Sequence, residues 1–186
     1  MEFFYYIIII FAIILLYFIV TMIVNKIKEN LAFDEILELC EKRGFKYQKS
    51  KDRRYDVIIE DGQFIMYMAF CRVPINSTIT INSRNTWSLR FGGKRKGKGY
   101  SSQRYLNELK PFLSFNPESN KTIYKVVIVY PDTEAILKYM NESEIMEIKP
   151  ENISFGYKAI TYKELFEKFD DLFILNQKEL TNPRNN

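Results

Sequence analysis

Tyr55-Asp56-Val57-Ile58-Ile59-Glu60-Asp61-Gly62-Gln63-Phe64-Ile65-Met66-Tyr67-Met68-Ala69-Phe70-Cys71 is the stretch from which the fold is read. Two apolar runs flank Asp61-Gly62, a dipeptide favoured in two-residue hairpin loops, so the segment predicts a β-hairpin. That turn pairs Glu60 with Gln63, Ile58 with Ile65 and Asp56 with Tyr67. Pro74 ends the hairpin, and Ser77 to Ile81 alternates as a further short strand. Upstream, Leu31, Phe33, Ile36, Leu37, Leu39 and Cys40 recur at helical spacing opposite Asp34, Glu35, Glu38 and Glu41, and Gly44 supplies the stop. Phe45 to Gln48 then reads as a short strand.

Downstream, Ser83 to Ser101 holds the sole tryptophan and a glycine-interleaved basic run, Gly92 to Gly99, which predicts an exposed loop. Ser102 to Leu113 reads as a helix with Tyr105, Leu106, Leu109 and Leu113 inward and Pro111 weakening its last turn. Ile123 to Tyr130 is β-branched and nearly continuous, as expected of a central strand covered on both faces and ended by Pro131. A helix is expected over Thr133 to Met140, short strands at Glu144 to Ile148 and Gly156 to Ile160, and a last helix over Tyr162 to Phe173. Thr161-x-x-Glu164 opens that helix as a capping box. The fold class is mixed α/β, a mixed sheet flanked by helices.

The chain has 186 residues, 47% of them apolar, and much of that fraction is concentrated in Phe3 to Val24, a run without a single charge. As a helix at ~1.5 Å per residue it spans roughly 33 Å, enough for a hydrocarbon core of ~30 Å. Glu2 is the only charge before the run and no A-x-A site follows it, so a retained anchor is expected rather than a cleaved signal. Lys26 and Lys28 follow the span at once, with Lys42, Arg43 and Lys46 soon after, which directs the soluble part to the cytoplasm. The organisation expected is an anchor over 1–26, one cytoplasmic domain over 27–176 and a polar tail over 177–186.

The chain contains no histidine and two cysteines outside any CxxC pair, which excludes histidine triads, histidine metal ligands and a disulfide framework. Any chemistry falls to carboxylates, lysines, hydroxyls or a lone thiol.

Helix, three-strand meander, helix and central strand is the core order of the PD-(D/E)xK nucleases, and residues 31 to 173 resemble this restriction-endonuclease-like superfamily. Tyr55-Asp56-Val57-Ile58-Ile59 is similar to the first half of its motif, with Asp56 at the metal-binding position. The resemblance implies a Mg²⁺ site that activates water for phosphodiester cleavage. The Glu-x-Lys half is missing, because Gln63 to Cys71 contains no acid and no lysine in any register. The expectation is therefore a degenerate, catalytically inactive site without metal or cofactor. The alternative is a tethered Mg²⁺ nuclease in which Asp56 and Glu60 form a displaced site.

Charge is as unevenly distributed as apolarity. Residues 84 to 110 carry Arg84, Arg90, Lys94, Arg95, Lys96, Lys98, Arg104 and Lys110 against Glu108 alone, so the segment exceeds the net +4 of the whole chain and the remainder is negative. Interleaved glycines let such a backbone approach a polyanion, and Trp87, Phe91 and Tyr100 are placed to stack on bases or rest at a bilayer interface, although Trp87 itself reads first as a packing residue. The sequence thus predicts a membrane-anchored binding module for nucleic acid or anionic lipid headgroups. A solvated loop that only keeps the domain soluble is the simpler alternative.

Overall fold

The computed structural model describes residues 2–94, 100–141 and 144–173. The chain divides into two units, Met1–Gly44 and Phe45–Asn186. The first is one helix, α1, Glu2–Lys42. The expected anchor and the expected amphipathic helix are parts of this single element, because Asn25 to Asn30 contains no glycine or proline to break it. Its apolar part is long enough to cross a membrane, and every large apolar side chain from Phe4 to Val24 is exposed. The one threonine of the apolar run, Thr21, donates its hydroxyl to the Tyr17 carbonyl at 2.8 Å and so leaves that donor satisfied. Gly44 ends the helix at φ 78°, a left-handed conformation that glycine adopts without a Cβ penalty.

The second unit is built on two five-stranded mixed sheets. The strands are β1 (Tyr47–Lys49), β2 (Val57–Glu60), β3 (Phe64–Arg72), β4 (Thr78–Ser83), β5 (Thr86–Lys94), β6 (Tyr100–Tyr105), β7 (Thr122–Tyr130), β8 (Ala135–Asn141), β9 (Glu144–Glu147) and β10 (Lys158–Thr161). The helices are α2 (Lys110–Leu113), entered through a 3₁₀ turn at Asn107–Leu109, and α3 (Tyr162–Lys168), continued by a 3₁₀ turn at Phe169–Phe173. The first sheet has the order β1-β2-β3-β7-β10 and the second β6-β5-β4-β8-β9. β7 lies between β3 and β10 and is parallel to both, the central position its continuous apolar run predicts.

The chain passes between the sheets side by side at β3–β4 and β7–β8, since β3 parallels β7 in one sheet and β4 parallels β8 in the other. The two corners are bonded to each other. Val73 N–H donates to the Tyr130 carbonyl at 2.8 Å, and Glu134 N–H and Thr133 Oγ1 donate to the Ser77 carbonyl at 2.7 and 2.6 Å. Between the sheets, Tyr67, Ala69, Cys71, Val127, Val129 and Ala159 meet Ile79, Ile81, Trp87, Leu89 and Ile136 in one core. The opposite face of the first sheet carries Phe64 and Tyr124, whose rings meet Phe173 at 5.1 and 5.8 Å.

Four readings need correction. The hairpin turns at Gly62-Gln63, because Asp61 N–H pairs with the Phe64 carbonyl at 3.0 Å and the Asp61 carboxylate accepts from Gly62 N–H at 2.6 Å. Glu60 therefore opposes Ile65 and Ile58 opposes Tyr67. This shift of two residues preserves which face each side chain takes. The expected loop over Ser83 to Ser101 is a turn at Arg84-Asn85 and then strand from Thr86 to Lys94. Gly92, at φ 91°, forms the irregularity where the β5–β6 register shifts, and a Cβ there would lie 1.9 Å from Ser101 Oγ. The expected helix over Ser102 to Leu113 is β6 through Tyr105, which is exposed, and only its end is helical; Pro111 sits in the first turn of α2, where its missing N–H has no partner to lose. The expected helix over Thr133 to Met140 is β8 from Ala135 on, because pairing with β4 and β9 outweighs the helical preference of Ala135, Leu137, Lys138 and Met140. The last helix is as expected, with Thr161 Oγ1 accepting from Glu164 N–H at 3.2 Å.

Candidate polyanion interface and the Asp56 position

β4, β5 and β6 form an antiparallel meander, so the basic segment is part of the second sheet and its charges are separated by strand geometry. Arg84 lies in the β4–β5 turn and donates to Asn116 Oδ1 at 2.9 Å. Lys94 ends β5, roughly 30 Å away at ~3.3 Å per residue. Arg90 opposes Thr78 and Gln103 on the face turned away from the core and is exposed. Arg104 opposes Leu89 and is bound to Glu108 at 2.7 Å. Among the described residues, Arg84, Arg90, Lys94 and Arg104 are thus not brought to one patch. Lys94 ends β5, and Arg95, Lys96 and Lys98, which follow it in the sequence, lie outside the described residues.

The aromatic residues divide as well. Trp87 is 1% exposed and packs edge-on against Tyr157 with centroids 6.4 Å apart, so it is a core residue and offers no stacking surface. Phe91 is half-buried against the same core, and Tyr100 begins β6 opposite Lys94.

Asp56 sits one residue before β2. Its N–H donates to the Met68 carbonyl at 2.8 Å, and its Oδ2 accepts from Phe70 N–H at 2.7 Å. The carboxylate thereby supplies the acceptor that a further β2 residue would have offered, prolonging the β2–β3 ladder. Glu60 lies four residues on, about 13 Å along an extended strand, and forms an ion pair with Lys121 at 2.8 Å. Lys121 also donates to the Asp61 carbonyl at 2.9 Å. Asp56 and Glu60 share a face without sharing a site, since ligands of one Mg²⁺ each approach it to ~2.1 Å. Among the described residues no group of three or more carboxylates and thiols is arranged to hold a metal ion. Cys71 is buried and its thiol is pushed up to about 12 by that burial, which leaves no thiolate near neutral pH.

The most unusual charged group is one the sequence reading passed over. Lys125 is buried in β7, and its Nζ donates to the carbonyls of Phe112 at 2.7 Å, Leu113 at 3.4 Å and Phe115 at 2.5 Å. The rings of Tyr157 and Phe112 lie 4.5 and 4.9 Å from the same nitrogen. The ammonium occupies the end of α2, whose last carbonyls lack helical partners. Tyr157 Oη also donates to the Leu113 carbonyl. Burial pulls Lys125 down to about 8, and Arg84 acts in the same direction. Three donors meeting three acceptors fit a structural clasp better than a proton-transfer group. The signal in the sequence was a lone charge within the run Ile123 to Tyr130.

Compared with known proteins, the chain matches no family model, no curated protein and no solved structure.

Proposed function

We propose that this chain is a single-pass membrane protein whose β-domain, on the cytoplasmic side, binds anionic lipid headgroups through the tip of the β5–β6 hairpin. The observation that carries the reading is the run of exposed apolar side chains from Phe4 to Val24 on a helix long enough to span a bilayer. A domain tethered in this way stays near a leaflet at which each basic residue contributes ~1 kcal/mol of attraction. Burial of Trp87 favours lipid over nucleic acid, because the stacking platform that single strands use is then reduced. The alternative of a Mg²⁺ nuclease has less support, given the separation of Asp56 from Glu60 and the pairing of Glu60 with Lys121.

The full chain held in neutral-lipid discs is expected to capture vesicles containing phosphatidylserine, more weakly as salt rises, and to ignore purely neutral vesicles. Reversing Lys94, Arg95, Lys96 and Lys98 to glutamate should abolish capture without altering the circular dichroism spectrum. Capture of an oligonucleotide in place of the vesicles would favour nucleic acid. Capture of neither would overturn the binding reading, and Mg²⁺-dependent cleavage lost in Asp56→Ala would establish the enzyme.

A further inference from the structure

The second sheet ends in β6 on one side and β9 on the other, and among the described residues no further strand covers either. An uncovered strand offers its outward N–H and carbonyl groups for pairing with another chain. Which groups these are follows from the ladders. Leu106 N–H donates to the Trp87 carbonyl at 2.9 Å and Ile148 N–H to the Ile136 carbonyl at 2.7 Å, and opposed residues of an antiparallel pair alternate between bonded and unbonded. The unbonded pairs are therefore Tyr105 with Ser88 and Gln103 with Arg90 at one edge, and Glu147 with Leu137 and Ile145 with Tyr139 at the other. Gln103, Tyr105, Ile145 and Glu147 thus turn their backbone groups out of the sheet. All four side chains are exposed and stand on the face opposite the core.

The two edges differ in charge. Thr86 to Tyr105 contains Arg90, Lys94 and Arg104 and no acid, whereas β9 contains Glu144 and Glu147 and no base. Pairing β6 with another β6, or β9 with another β9, sets like charges together, which is destabilising. Pairing β6 with β9 sets opposite charges together.

We infer that β6 of one copy pairs antiparallel with β9 of a second copy, continuing the second sheet from chain to chain. The two strands run in opposite directions within the sheet, so a copy set alongside with the same face outward brings them together antiparallel. One register uses all four outward residues: Tyr105 with Ile145, and Gln103 with Glu147, each pair exchanging backbone hydrogen bonds in both directions. Tyr105 and Ile145, 57% and 53% exposed, then cover each other. Glu147 comes into line with Arg90, which is exposed beside Gln103 on the same face. The contact is head-to-tail and open-ended. It does not involve the lipid contact proposed above, and neither reading rests on the other.

Full-length chains carrying Tyr105→Cys are mixed in detergent with chains carrying Ile145→Cys and oxidised mildly. The paired Cα atoms stand ~5.5 Å apart in this register, a span a disulfide bridges, and the native Cys40 and Cys71 are buried. Disulfide-linked dimers of the mixture are expected roughly tenfold faster than those of either variant alone, because only the mixture opposes the two thiols. Tyr105→Cys mixed with Lys49→Cys, an exposed position at the edge of the first sheet, should be as slow as the single variants. Gln103→Pro, added to the Tyr105→Cys chain, removes an outward N–H that β5 does not use and should slow the mixture about tenfold with an unchanged circular dichroism spectrum. Arg90→Glu on that chain, or Glu147→Lys on the other, should slow it severalfold, and the two together should restore the rate. Equal rates for the mixture and the single variants would overturn the inference. So would a rate that Gln103→Pro and the charge reversals leave unchanged.

Discussion

The two sheets of the β-domain contain equal numbers of strands yet differ in how their sequences encode them. In the first sheet, β3 and β7 are covered on both faces, and Phe64 to Arg72 and Ile123 to Tyr130 are nearly unbroken apolar runs that could only be strands. In the second sheet, one face meets the core and the other is polar, mixing buried Thr78, Thr80 and Ser88 with exposed Arg90, Gln103 and Tyr105. Alternation over so few residues, interrupted by Gly92-Gly93, resembles a loop, and Ala135 to Met140 resembles a helix. A strand that is apolar on both faces is written into composition, whereas a strand with one polar face is written only into the pairing.

The difference can be tested from its largest consequence downward. If the second sheet has a true core, Trp87→Ala should lower stability by about 3–5 kcal/mol in chemical denaturation; a loss below about 1 kcal/mol would return the segment to the loop its composition suggested. The first sheet alone should then account for a pH dependence. Lys125 and Lys158, both buried in it, are pulled down to about 8, in each case chiefly by burial. Below pH 8 both are protonated in the folded and the unfolded chain, and the cost of burying their charges is fully present. Between about 8 and 9 the unfolded chain binds more protons, so stability rises with pH, and above about 9 the gain is offset because thiols ionise in the unfolded chain while the buried Cys40 and Cys71, raised to about 12, do not. The rise should stay below about 3 kcal/mol per lysine, because the carbonyls around Lys125 favour its charged form. Lys125→Met should flatten the Lys125 part of that slope, while a substitution in the second sheet away from Arg84 should leave it unchanged.

A smaller effect is expected at the β5–β6 irregularity. Gly92→Ala places a Cβ at positive φ and against Ser101 Oγ, for a loss of about 1–3 kcal/mol, while Gly62→Ala, with open space around it, should change little. Smallest is Asp56. Asp56→Ala removes an exposed acceptor from Phe70 N–H and should cost about 1 kcal/mol. Asp56→Asn keeps an acceptor oxygen and should retain most of that stability, an outcome a metal-binding role would not share.

The same contrast explains what could be read at the candidate sites. The face taken by Asp56 was legible despite a misplaced turn, because the error was of two residues and side chains alternate with period two. The clustering of positive charge along the chain was legible too. Its separation in space was not, since a run of basic residues does not show that Arg84 and Lys94 stand at opposite ends of β5 or that Arg104 is bound by Glu108. Trp87 was legible as a packing residue, but the ring it packs against, Tyr157, lies seventy positions away in the chain, and no local pattern identifies it.

The paired corners between the sheets also bear on how the domain folds. Joining β3 to β7 closes a long loop, and the entropy lost in doing so grows only slowly with length. Once that loop is closed, β4 and β8 are delivered to each other by the same corners, held by the bonds from Val73, Thr133 and Glu134. The two long-range pairings therefore share one closure, and neither sheet gains by forming ahead of the other. The expected folding reaction is a single cooperative step, slow for the domain's size because its central contacts are distant in sequence, and free of a state in which one sheet stands without its partner.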